Sequence, residues 1–339
     1  MKILSFVLTL SLWGSLCTGL LGHGSGLAQA QVRTAAYHYL SLPTSAHNAA
    51  LGGTHQSLIA DDATLTMGNP ALLATLGGRT LTAGFMTYLG SSRAYSIAYS
   101  QPISRRHTFG ISGQLMDYGQ QTHTDAAGNT LGTLTTKDFV LGGRYAYLLN
   151  DRWVGGAALH LLYSRLGSYS AMAMAVDVGL NYYDEAAGNS FSVVLKNVGT
   201  QLKKYSETAT DDNLPFDLQA SYTHKLQGAP LRLSITLTDL TRWSNNYYYR
   251  IDSTATDGFV KKLTNHLTLG VDLLATKNVY VAAGYNFRRG RELKAASAGK
   301  GAGLSLGAGL TAQRFSVDVA YAKYHVSSSS VLINVSYKF

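Results

Sequence analysis

From Arg79 to the C-terminus, apolar and polar residues alternate with a period of two, interrupted at intervals by turn formers. Leu267, Leu269, Val271 and Leu273 alternate with His266, Thr268, Gly270 and Asp272. Met172, Met174, Val176, Val178 and Leu180 do the same against Ala173, Ala175, Asp177, Gly179 and Asn181. A period of two puts the two sets on opposite faces of a strand. The pattern predicts fourteen strands, near residues 79–89, 93–102, 106–117, 137–149, 152–165, 169–183, 190–200, 215–226, 230–240, 264–275, 278–288, 303–312, 314–325 and 330–339. An even number suits closure of an antiparallel barrel.

The last strand carries the most information. Val331, Ile333, Val335, Tyr337 and Phe339 share one face, and Leu332, Asn334, Ser336 and Lys338 share the other. An apolar face that runs to an aromatic terminus would be an aggregation hazard on a soluble edge strand. In a closed barrel surrounded by lipid there is no edge, and the apolar face is solvated by acyl chains. Val335, Tyr337 and Phe339 are therefore the expected membrane-assembly residues.

Connection lengths support the same architecture. Counted back from the C-terminus, alternate connections (103–105, 150–151, 184–189, 227–229, 276–277 and 313) are short. Those on the other side include the long 118–136, 201–214, 241–263 and 289–302. Short periplasmic turns and long outer loops are the rule for transmembrane barrels. The expected fold is all-β: a transmembrane antiparallel barrel of about fourteen strands spanning residues 79–339.

The first 78 residues follow different rules. Lys2, an apolar run from Ile3 to Leu21, a small and polar stretch, and Ala28-Gln29-Ala30 form a secretory signal peptide cleaved after Ala30. Gly14-Ser15-Leu16 is a poor lipobox for Cys17. Residues 31–78 lack strand alternation. Ser45–Leu51 has helical composition and is stopped by Gly52-Gly53, and Asn69-Pro70 caps a second turn that runs from Ala71 to Leu76 before Gly77-Gly78. A partly helical segment ahead of the first strand is best placed in the lumen as a plug, because fourteen strands enclose more space than small side chains fill. As a cap, Asn69 is worth roughly 1 kcal/mol against Ala.

Composition sharpens this picture. Charged residues make up 14% of the chain, against about 25% in soluble domains, and there are 35 Gly and 22 Tyr. That suits tight turns and aromatic girdles. The single cysteine, Cys17, lies in the cleaved segment, so the mature chain has no disulfide or thiolate chemistry. Apart from the signal segment, no stretch approaches 18 consecutive apolar residues, which excludes a helical membrane protein. The formal charge is +9, or +8 without Lys2, but no basic helix or RNA-binding motif accompanies it. Nucleic acid is therefore not the expected partner; the charge suits loops that face anionic lipopolysaccharide or a protein.

Candidate chemistry is sparse. His38, His47 and His55 fit no metal-ligand spacing. Gly301 follows Lys300 where a phosphate loop needs Ser or Thr. Neither a cofactor nor a catalytic constellation is expected. Lys203, Lys204, Trp243, the run Tyr247-Tyr248-Tyr249 and Arg250 form a candidate partner surface on the long loops, although aromatics of this kind equally suit a membrane girdle. Lys261, Lys262, Arg288, Arg289 and Arg291 add positive charge.

Three stretches carry a family resemblance. They are Leu42-Pro43-Thr44-Ser45-Ala46 leading to Leu51-Gly52-Gly53; Asp61-Asp62 followed by Asn69-Pro70-Ala71; and Leu195-Lys196-Asn197-Val198-Gly199 with Leu214-Pro215-Phe216-Asp217 and Pro230. The first two resemble the plug of fatty-acid-transporter-like barrels and their PorV relatives. The third resembles the PorQ branch, PorV-related barrels of the type IX secretion system of Bacteroidetes. Thr238-Asp239-Leu240 departs from the His-Asn pair expected there. The resemblance implies an outer-membrane scaffold of the cell-surface attachment complex that holds a PorZ-like surface protein beside PorU and PorV. The alternative, from the wider superfamily, is a transporter of hydrophobic small molecules. That alternative needs an apolar pocket among plug and outer loops and a kink that opens the barrel wall, and the polar, basic outer loops favour an anionic or protein partner instead.

Overall fold

The computed structural model describes residues 37–124, 129–206, 213–244, 257–296 and 301–339. The expected signal peptide (1–30), residues 31–36, and Tyr247 to Arg250 lie outside the described residues. Fourteen antiparallel strands close into a barrel in sequence order, with β1 hydrogen-bonded to β14. They are β1 (Thr80–Thr87), β2 (Arg93–Pro102), β3 (His107–Thr124), β4 (Thr130–Leu148), β5 (Trp153–Leu166), β6 (Tyr169–Asp184) and β7 (Asn189–Lys203). β8 (Asp217–Lys225), β9 (Leu231–Leu237), β10 (Leu267–Leu273), β11 (Val279–Asn286), β12 (Leu304–Ala312), β13 (Phe315–Ala322) and β14 (Ser330–Lys338) complete the wall.

The predicted faces are the observed ones. Val331, Ile333 and Val335 point outward and are exposed, whereas Leu332, Asn334 and Ser336 point into the barrel and are buried. β6 alternates likewise, with Met172, Met174, Val176 and Val178 outside and Ala173, Ala175 and Asp177 inside. An outer surface this rich in exposed Leu, Val, Ile and aromatic residues is stable only against lipid. Around the C-terminus, Tyr337 lies 4.8 Å from both Phe315 and Phe339, and Phe339 meets the edge of Tyr99 at 6.3 Å, forming an aromatic rim. The strand connections at that end are five residues or fewer.

Differences from expectation fall at the long-loop end. Of residues 118–136, expected to form a loop, 118–124 and 130–136 continue β3 and β4. The ladder between them steps over Tyr118-Gly119 and resumes at Gln120 opposite Thr135. The extension is mostly polar, with Leu131 and Leu134 its only large apolar residues among those described, and they stand three apart, so it carries no alternation of period two. Two helices were not expected, α2 (Phe259–Asn265) and α3 (Phe287–Ala295), and α2 replaces the start assigned to β10. The long outer connections pack through them: Arg291 of α3 donates to Lys261 O at 2.9 Å and to Thr264 Oγ1 at 2.7 Å.

Residues 37–78 lie against the inward face of the wall. They form helix α1 (Ala46–Ala50) and three 3₁₀ turns, at His38–Ser41, Ala63–Met67 and Pro70–Thr75. Short turns expose backbone groups that bulk water does not reach, so the wall must satisfy them. Asn334 Oδ1 accepts from Ala46 N at 2.6 Å, Thr82 Oγ1 from Ala63 N at 2.9 Å, and Arg289 donates to Gly52 O at 2.9 Å. Inward glycines bring the two backbones together. A Cβ on Gly284 would overlap Leu51 C and Gly52 N, one on Gly156 would overlap Pro70 C and Ala71 N, and one on Gly179 would strike Asn69 Oδ1.

Candidate functional site

The motif residues of the luminal segment are structural in their contacts. Leu51 is fully buried, and Gly52 and Gly53 take positive φ values of 108° and 86°, which end α1 with Gly53 N donating to Asn48 O at 2.8 Å. Asp62 is buried and caps the Ala63–Met67 turn, accepting from Thr64 N at 2.8 Å. Its neighbour Asp61 is exposed and pairs with Lys338 at 2.9 Å. Asn69 is fully buried: Oδ1 accepts from Ala71 N at 3.0 Å, and Nδ2 donates to Gln56 O at 2.7 Å and to Ser192 Oγ on β7 at 3.1 Å.

Asn69 therefore does more than cap the turn. Its replacement by Ala leaves Gln56 O and Ala71 N buried without partners, so the expected cost rises to about 2–4 kcal/mol. Limited proteolysis of the solubilised barrel should show residues 37–78 becoming sensitive while the barrel resists. Equal resistance in variant and wild type would remove Asn69 as an anchor.

The histidines of this segment are tied to the wall. His47 Nε2 lies 2.7 Å from Asp272 Oδ1, and its ring stacks on Tyr280 at 3.8 Å; Arg232 Nε closes the other side of Asp272 at 2.7 Å. His55 lies between Leu51 O (2.7 Å) and Thr236 Oγ1 (2.6 Å). Its burial pulls the pKa down to about 4. Neutral His55 then donates through Nε2 to Leu51 O and accepts from the Thr236 hydroxyl through Nδ1.

Asn197 and Gly199 mark a change in the wall. The β6–β7 ladder steps over Lys196-Asn197, and Asn197 has φ 56°. That turns its backbone N–H inward to Asp177 Oδ1 at 2.6 Å, while His160 holds the other carboxylate oxygen at 3.0 Å. The same device recurs at Asp239 (φ 52°), whose N–H reaches Asp217 Oδ1 at 2.6 Å. Thr238-Asp239 follows the end of β9 at Leu237, and Leu240 N beyond it donates to Leu218 O at 3.1 Å. The β7–β8 ladder ends at Lys196 opposite Asp217. Beyond it, residues 197–203 have no ladder partner on the β8 side among the described residues. Pro215 lacks the N–H that would continue the pairing, and its carbonyl accepts from Asn197 Nδ2 at 2.9 Å. Leu214 is buried, Phe216 O accepts from Arg242 at 3.0 Å, and Pro230 O accepts from Leu274 N at 2.7 Å.

The candidate partner residues divide. Trp243 is partly exposed, with its Nε1 donating to Leu240 O at 2.7 Å and its ring stacked at 6.4 Å on Phe259. Lys203 is exposed and donates to Ser170 Oγ at 2.8 Å; Lys204 is half-buried. The arginines turn inward. Arg288 pairs with Asp239, Arg289 lies 4.1 Å over the ring of Tyr324, and Arg291 binds the end of α2. The long-loop end presents less free positive charge than its composition suggests.

The inward faces, mostly small or polar, hold an apolar belt in the half nearer the long loops. Met86, Met116, Val140 and Leu162 point inward from β1, β3, β4 and β5, each less than a tenth exposed, and Ala173 and Ala175 continue the belt on β6. Tyr37, Tyr39, Leu40 and Leu42 of the luminal segment pack into it as one cluster. A legible trace of this exists in consecutive apolar pairs such as Leu115-Met116, Val140-Leu141 and Leu161-Leu162, where both faces are apolar. Lower in the barrel the inward positions include Thr82, Ser100, Ser112, Arg144 and His160, together with Ala98, Ala146 and Val154, which pack on Leu73 and Leu76 of the luminal segment. At the rim, Asp138 is buried and accepts from Tyr118 Oη at 2.7 Å and from Ser164, which also meets Tyr205. A separate groove of about 520 Å³ lies outside, among Tyr95, Ile97, Gly113, Phe139, Leu141 and Tyr163, where membrane lipid would fill it. Among the described residues, no group of three or more His, Cys, Asp or Glu side chains could hold a metal ion.

Neither a family model nor a curated protein sequence matches the chain. Solved structures match it by fold. The CymD monoaromatic hydrocarbon channel aligns with a TM-score of 0.56 at 14% identity, over 88% of this chain and 98% of that one. The Pseudomonas putida toluene transporter TodX aligns at 0.52 and 11% identity, covering 87% and 97%. The TodX deltaS2S3 mutant monoaromatic hydrocarbon channel aligns at 0.57 and 12%, covering 88% and 99%. The chain has the fold of these channel and transporter barrels.

Proposed function

We propose that the protein is an outer-membrane channel that passes apolar small molecules, a reading that takes precedence over the attachment scaffold. The observation that carries it is the belt of large apolar side chains, Met86, Met116, Val140 and Leu162, filled by Tyr37, Tyr39, Leu40 and Leu42 in the half of the lumen nearer the long loops; a separate apolar cluster at the other end is built on the smaller Ala98, Ala146 and Val154. A permeant that partitions from water into such a belt gains about 25 cal/mol per Å² of apolar area buried. The end of β7 beyond Lys196, which has no ladder partner on the β8 side among the described residues, lies beside the belt through Tyr37, whose hydroxyl accepts from Gln201 at 3.3 Å, and through Leu214. The step in the β6–β7 ladder at Lys196-Asn197 and the end of the β7–β8 ladder beside it support the opening of the wall that such a transporter needs. The fold shared with hydrocarbon channels supports the same reading.

The scaffold reading, with a PorZ-like partner beside PorU and PorV, keeps one observation in its favour. Phe259 and Val260 are 71% and 73% exposed beside Trp243 on the long-loop end, an apolar patch suited to protein contact. A deletion strain separates the two. Slower uptake of toluene and other apolar solutes, with surface anchoring of secreted cargo intact, supports the channel. Normal uptake with loss of anchored cargo replaces it with the scaffold.

A further inference from the structure

We infer that Asp138 makes the apolar belt selective for permeants that carry an uncharged O–H or N–H donor, such as phenols and alcohols, over hydrocarbons and carboxylates. The inference rests on the channel reading above. Asp138 stands one inward rung beyond Val140 on β4, opposite Met116 on β3 and Ser164 on β5. It is 2% exposed, and both oxygens are held by hydroxyl donors, Oδ2 by Tyr118 and Oδ1 by Ser164. A carboxylate has room for about four hydrogen bonds, so it retains acceptor capacity beyond these two.

Tyr39 shows what fits beside it. Its ring is 97% removed from solvent inside the belt, within electrostatic reach of Asp138, Tyr118, Tyr37 and Tyr205. Its hydroxyl has no hydrogen-bond partner. Burial, with the charge of Asp138 next to it, pushes the phenol well above its usual range, so it stays a neutral donor. A buried hydroxyl without a partner is a cost that the closed state carries. A permeant that displaces the Tyr39 ring and donates to Asp138 makes the hydrogen bond that the Tyr39 hydroxyl does not make. A carboxylate in the same place meets a like charge in a poorly solvated site.

The experiment compares p-cresol, toluene and 4-methylbenzoate, which share a ring and differ in the head group, by equilibrium dialysis against the solubilised full chain. The wild type should bind p-cresol roughly tenfold or more tightly than either other probe, the scale of a hydrogen bond to a charged group. Asp138→Asn, checked for barrel folding by heat-modifiable gel mobility, should bring p-cresol and toluene within about threefold. Tyr39→Ala should tighten both and keep their ratio. Should Asp138→Asn fail to fold, Ser164→Ala and Tyr118→Phe, which free acceptor sites on Asp138, should hold or widen the p-cresol preference. Equal binding of p-cresol and toluene by the wild type, or a preference for 4-methylbenzoate, overturns selectivity and leaves the channel reading standing. Binding of none of the three removes both.

Discussion

Val335→Arg should stop the barrel from assembling, while Asn334→Ala, one residue away, should leave assembly intact. Val335 sits mid-strand on β14, 44% exposed on the outer face, and pairs with Ala83 of β1 on one side and Val317 of β13 on the other. A cation there faces the hydrocarbon core, at about 2–4 kcal/mol near the midplane. The strand it burdens is the one that closes the ladder. Asn334 faces the lumen, where it accepts from Ala46 N at 2.6 Å and donates to Thr44 O at 3.0 Å. Its loss weakens only the hold on the luminal segment. Deleting Phe339 removes its N–H donation to Arg79 O at 3.0 Å and its edge contacts to Tyr99 and Tyr337, and should also lower assembly. Heat-modifiable mobility of membrane fractions measures all three. Folded Val335→Arg at wild-type amounts would mean that this face does not meet lipid.

The reason the wall was legible and its contents were not lies in what each residue meets. Along β10 or β14 every second side chain faces lipid and every other one faces a polar lumen, so the environment itself has a period of two and the sequence records it. The β3–β4 extension past Tyr118 meets water on both faces and leaves no such record. Helices α2 and α3 were hidden for another reason: each follows a strand or loop with no stop signal, and Asn286, the cap of α3, reads equally well as a strand end.

The site was harder to see because its residues act through distant partners. Asn197 and Gly199 are recognisable as a motif. Their role emerges only when Asn197, with positive φ, turns its N–H to Asp177, twenty residues away. Arg288, Arg289 and Arg291 resemble a basic surface on paper, but Asp239, the lumen and α2 absorb them. The apolar belt left a trace, since Leu161-Leu162 breaks the alternation. Nothing local shows that Tyr37 and Tyr39 fill it.

The wall glycines lead to the other large expected effect. Gly284→Ala and Gly156→Ala together should expel residues 37–78 from the lumen and leave the barrel folded. At both positions the added methyl meets backbone, at Leu51-Gly52 and at Pro70-Ala71, and not the end of a pliable side chain. Neither turn can shift to make room. Arg289 fixes the first through Gly52 O, and Asn69 fixes the second through Ala71 N. Overpacking against fixed backbone costs about 1–3 kcal/mol per site. The turns sit on different strands without shared partners, so the two costs should add to about 2–6 kcal/mol. Against a segment held by short hydrogen-bonded turns, that is enough to shift the balance toward the open lumen. The double variant should show rapid proteolysis within residues 37–78 and a raised single-channel conductance in planar bilayers. Gly143→Ala, where the new methyl has no atom within 4 Å, should change neither. Wild-type conductance and protease resistance in the double variant would mean that the segment does not depend on this seat, and that another route through the barrel must be sought.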